Sequence, residues 1–118
     1  MNYLCLVHFE KGRMDTLSGS ELDALVEESQ AFDEQLRQAG VLVAADPLLP
    51  PESATIVRVR NGRLSITDGP FVETQEQLGG FLLLDVRDLN DALQIAAKVP
   101  VARYGTIEVR TIGLARSA

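Results

Sequence analysis

Cysteine, histidine and tryptophan are nearly missing from this chain: Cys5 and His8 stand alone, and tryptophan is absent from its 118 residues. A lone cysteine excludes an internal disulfide. With no basic, apolar leader in Met1-Asn2-Tyr3, the chain reads as cytoplasmic. One histidine and one cysteine leave any structural metal site to carboxylates. No GxGxxG, Walker, HExxH, CxxC or GxSxG pattern occurs, so no bound cofactor is expected. No apolar run approaches the ~20 residues of a membrane helix. Positive charge is also short, with 11 Lys and Arg against 17 Asp and Glu, a net charge of -6. That balance disfavours nucleic acid and anionic membrane as partners.

What is present suits one ordinary globular domain, 1–118, with 46% hydrophobic residues. Tyr3–Phe9 is a short apolar run with strand character. Ser18, with Glu21 three positions on, forms a capping box, and Leu22, Leu25, Val26, Phe32 and Leu36 follow at helical spacing up to Gly40. Val41–Ala45 predicts a second strand, ended by Pro47, Pro50 and Pro51. Ala54–Arg60 and Arg63–Thr67 flank Asn61-Gly62, the preferred pair of a two-residue hairpin turn. That turn sets Arg60 opposite Arg63, Val59 opposite Leu64, Arg58 opposite Ser65 and Val57 opposite Ile66. One side is then apolar and the other carries Arg58, Arg60 and Arg63. Gly79–Val86 predicts a strand apolar at odd and even positions. Asp88 caps a second helix with Leu89, Leu93 and Ala96 inward and Pro100 past its end, and Thr106–Ile112 is the last strand.

The order β-α-β, hairpin, β-α-β implies an α+β domain of ferredoxin-like architecture, one antiparallel sheet with both helices on one face. Strand 1 and the Gly79–Val86 strand are apolar on both sides, yet two helices cover one side only. A second subunit, sheet against sheet, is the economical cover, so a homodimer is expected.

The stretch Thr67–Leu84, TDGPFVETQEQLGGFLLL, resembles the signature of the DGPF branch of the YCII-related family. Tyr3-Leu4-Cys5-Leu6 and the tail around Ala102-Arg103-Tyr104-Gly105 are similar as well. The resemblance implies a ferredoxin-like, dimeric α/β-barrel assembly. Some of the family resemble muconolactone isomerases and ring dehydrochlorinases, with a His–Asp pair proposed as their centre. Members of the DGPF branch are often encoded beside extracytoplasmic-function sigma factors. The YCII branch carries its histidine near the start of helix 1, where this chain has Ser20-Glu21-Leu22-Asp23-Ala24.

His8 ends the first strand and is the one side chain suited by its ordinary pKa to proton transfer near neutrality; it reads as an acid–base group or as a strand histidine bonded to backbone. Asp68 is a general base at a cleft mouth or the cap of its own turn, with Gly69 allowing close backbone approach. Phe71 is core or the wall of a pocket. Glu73 and Glu76 lie in a stretch that admits a helical turn, Glu73 being nearer Asp68. Arg103 and Tyr104 hold a substrate carboxylate, or Arg103 pairs with a surface carboxylate. The hairpin arginines bind an anion, mark an interface or are solvated, and Cys5 reads as a buried, inert thiol. Two functions remain: a dimeric lyase or isomerase for a carboxylate-bearing or phenolic small molecule, or a non-catalytic module that binds a protein such as a sigma factor.

Overall fold

Residues 1–114 are described by the structure, a computed structural model. The capping box forms as the sequence requires. Ser18 Oγ accepts from the backbone N–H of Glu21 at 3.1 Å, and Glu21 accepts from the N–H of Ser18 at 3.0 Å. It opens helix α1 (Gly19–Gln38), and Gly40 follows the helix end, donating its N–H to Arg37 O.

Strand β1 (Asn2–Glu10) runs antiparallel to both β5 (Glu76–Asp85) and β6 (Gly105–Thr111), and β2 (Leu42–Pro47) runs antiparallel to β5. The sheet order is β2-β5-β1-β6. Strands from the two halves of the chain therefore alternate, and each helix crosses over a strand of the other half. Pro47, expected in a loop, closes β2, where an edge position spares it a ladder donor.

Alternation along β1 and β5 selects the core. Tyr3, Cys5, Val7, Leu82 and Leu84 are buried on one face, where they meet Ala92, Ala96 and Val99, with Phe32 and Leu36 of α1 packed against them. Burial pushes the Cys5 thiol above its ordinary pKa, as an inert thiol requires. Helix α2 (Leu89–Ala96) begins at the Asp88 cap, whose side chain accepts from Asp91 N at 2.9 Å. Its inward face is Ala92 and Ala96, with Ile95 packed beside them. Leu89 and Leu93, expected inward, are about half exposed, because the helix is turned so that Ala92, Ala96 and Ile95 face the sheet.

The other face of the sheet carries Leu4, Leu6, Phe81 and Leu83, which are only half-buried. The hairpin of β3 (Thr55–Arg60) and β4 (Arg63–Asp68) forms a separate two-stranded sheet. Its register is the one that Asn61-Gly62 dictates, with Asn61 at φ 54° and Gly62 at φ 73°, the left-handed pair of a type I′ turn. Neither strand packs broadly on any other element. Glu76 begins β5 and so stands in a strand instead of a helical turn.

Candidate functional site

The residues singled out in the sequence fall into three separate places. His8, half-buried, points from β1 to the open face of the sheet, with Nε2 3.0 Å from Glu108 Oε1 on β6. Thr106, the cross-strand neighbour of His8, donates its hydroxyl to Glu76 at 3.0 Å. His8 therefore has a carboxylate partner, and that partner is Glu108.

Asp68 ends β4 on the hairpin, opposite Thr55, and lies in a different sheet from His8. Gly69 follows at φ 101°, a left-handed conformation that favours glycine, and donates its N–H to Ala54 O at 2.8 Å. The Asp-Gly pair thus closes the base of the hairpin. Phe71 is 69% exposed, with the Arg58 guanidinium 5.1 Å from its ring centre. It therefore stands outside the closed core, beside a hairpin that packs on no other element broadly. Glu73 is exposed in the loop leading to β5.

Arg103 forms a bidentate pair with Glu28 of α1, at 2.8 and 2.7 Å. The Arg103 fork holds the Glu28 carboxyl below its ordinary range. The guanidinium is thus engaged by a carboxylate of its own chain, the second of the two readings of the sequence. Tyr104 has two guanidiniums over its ring, with Arg13 5.1 Å and Arg103 5.8 Å from the ring centre.

A cleft that the sequence did not disclose lies on the helix-covered side. It has a volume of about 360 Å³ and runs between α1, the ends of β1, β2 and β5, and the segment around Val99–Val101. Leu22, Leu25 and Val26 form one wall, and Val7, Phe9 and Val101 oppose them. Leu22 and Val26, at 40% and 47% exposed, keep their helical stripe and spend it on this cleft instead of the closed core. A β-bulge between Val7 and His8 shifts the β1–β5 register past Gly79. A Cβ on Gly79 would stand 2.6 Å from the Phe9 ring, so the floor keeps its depth only with glycine there.

The polar groups of the cleft are Ser29, Gln30, Asp33 and Asp46, and its lining includes no lysine, arginine or histidine. Asp33 is half-buried. Burial raises its carboxyl above the ordinary value of 3.8, Arg37 works against the shift and Asp46 adds to it. A carboxyl in an apolar cleft with a raised pKa is a functional candidate on physical grounds. Its sequence signal was present but weak: one acid of α1 placed next to the apolar stripe at Phe32.

A family profile for the YCII-related domain matches residues 1–114. An uncharacterised protein of Rhizobium meliloti (strain 1021) is 32% identical over 116 residues, covering 97% of this chain and 94% of that one. Among solved structures, the 5-chloro-2-hydroxyhydroquinone dehydrochlorinase of Burkholderia phenoliruptrix AC1100, in complex with 2,5-dihydroxybenzoquinone, superposes with a TM-score of 0.59. That match covers 96% of this chain and 94% of the enzyme at 13% identity, a likeness of fold. A profile match over nearly the whole length and a relative this similar lead to one assignment: the chain belongs to the YCII-related domain family.

Proposed function

We propose that the chain binds a small, uncharged, hydroxyl-bearing ring compound in the α1 cleft, and that Asp33 moves a proton on it. The observation that carries this reading is the half-buried Asp33 carboxyl, its pKa raised, facing an apolar cleft of about 360 Å³. That volume suits a single ring. A carboxyl with a raised pKa is the better acid toward neutrality, donating its proton to a ring oxygen or carbon and recovering one by the end of the cycle. This is chemistry of the lyase and isomerase kind. The absence of a cation from the lining disfavours a substrate carboxylate, and the Arg103 expected to bind one is already paired with Glu28. The dehydrochlorinase that shares the fold is described with a dihydroxylated ring compound, which supports the substrate class. The four-strand order and two crossovers support a ferredoxin-like domain, and a second copy of the chain over the open face, with its half-buried Leu4, Leu6, Phe81 and Leu83, completes the reading.

Two measurements test it. Hydroquinone, titrated into the protein, should move the methyl resonances of Leu25 and Val26, and benzoate should not. Across a panel of chlorinated and hydroxylated hydroquinones, any turnover should fall by roughly 10²–10⁴ in Asp33→Asn. Hydroquinone binding should stay within a few-fold in that variant. His8→Gln and Asp68→Asn should behave like wild type. Turnover that survives Asp33→Asn and is lost in His8→Gln would move the chemistry to the His8–Glu108 pair on the opposite face.

A further inference from the structure

We infer that the β3–β4 hairpin is an arm that seats its apolar side on a second copy of this chain, as a contact additional to the open face of the sheet. Val57, Val59, Leu64 and Ile66 share one side of the ribbon by register, and each is between 60% and 65% exposed. A two-stranded ribbon is marginal in water unless its apolar side packs on something. Here nothing among the described residues covers it broadly. The whole molecule records the same fact. Its radius of gyration is 16.4 Å, where a compact chain of this length has about 13 Å.

A second copy fits better than an unrelated partner on area, because the same chain brings both surfaces to the contact. Strand spacings give the ribbon side roughly 200 Å² of plane and the four-stranded face roughly 450 Å², before side-chain relief is added. Together they approach the roughly 800 Å² per partner of a standard stable interface. The ribbon alone falls far short of that, so the arm needs the neighbouring sheet face to hold. The opposite side of the ribbon carries Arg58, Arg60 and Arg63, which leaves the charged residues outside the contact and in water. Glu10, Glu76 and Glu108 rim one end of the open face. The arm thus deepens the homodimer reading by adding a second, reciprocal contact to sheet-on-sheet packing.

The test is light scattering after size exclusion, over a dilution series of the full chain. Wild type should be a dimer. Val59→Asp with Leu64→Asp places charge on side chains already exposed in one copy, so circular dichroism should stay unchanged. The dissociation constant should rise by at least about 100-fold. Leu6→Asp with Leu83→Asp probes the sheet face separately. A dimer unmoved by the arm pair and broken by the sheet pair overturns the arm and leaves the homodimer. A monomeric wild type overturns both. Neither result bears on Asp33, which lies on the helix-covered side.

Discussion

Asp33 is the residue at which stability and chemistry pull against each other. Its carboxyl is raised above 3.8 chiefly by burial, so the folded chain holds this proton more tightly than the unfolded chain. The associated stability is complete below 3.8 and is lost as pH rises through the folded value. Asparagine has no proton to lose. Asp33→Asn should therefore unfold at higher temperature than wild type at neutral pH, with the gap narrowing as acid is added. Melting both proteins from about pH 3.5 to 7 checks the sign. A gap that stays constant, or that widens in acid, would mean that Asp33 is not held against its preference. A residue outside the cleft behaves differently. Arg103 lies outside the lining and is exposed, so Arg103→Ala should leave hydroquinone binding unchanged while freeing Glu28.

At the scale of elements, much was legible because the signals are local. Ser18 and Glu21 announce a helix start within four residues, and Ser18→Ala should cost about 1 kcal/mol in a denaturant melt. Asn61-Gly62 fixes the hairpin register for the same reason: both left-handed residues are adjacent in the sequence. The facts that escaped are the non-local ones. Glu108 meets His8 across 100 positions, a pairing that no spacing reveals. Leu89 and Leu93 read as inward because they recur at helical spacing, whereas the helix is turned to face the sheet with Ala92, Ile95 and Ala96. The contrast is measurable. Leu84→Ala, at a fully buried site, should cost roughly 2–5 kcal/mol, and Leu93→Ala far less. Asp33 escaped for a related reason. It sits beside an apolar stripe that, by itself, looks as if it closes completely over the sheet.

The whole molecule is a four-stranded sheet with one dressed face, one half-dressed face and an arm standing away from both. Its two sides differ in chemistry. The helix side holds a cleft whose ionisable groups are carboxylates, and the open side holds His8, Glu108, Thr106 and Glu76 at the end of an apolar strip. If the open side is an interface, Glu108→Gln should alter dimer dissociation without touching hydroquinone affinity, and the two readouts separate the faces. The alternating strand order also has a consequence for how the chain is made. β1 gains its first neighbour only when β5 has been synthesised, and its second only with β6. The β3–β4 hairpin closes locally, well before either event. On the ribosome, then, the earliest finished β structure is the arm, with four bare apolar side chains and no core yet behind it. Until β5 and β6 follow, that bare ribbon is open to mispairing with another unfinished chain, a hazard that ends when the sheet closes.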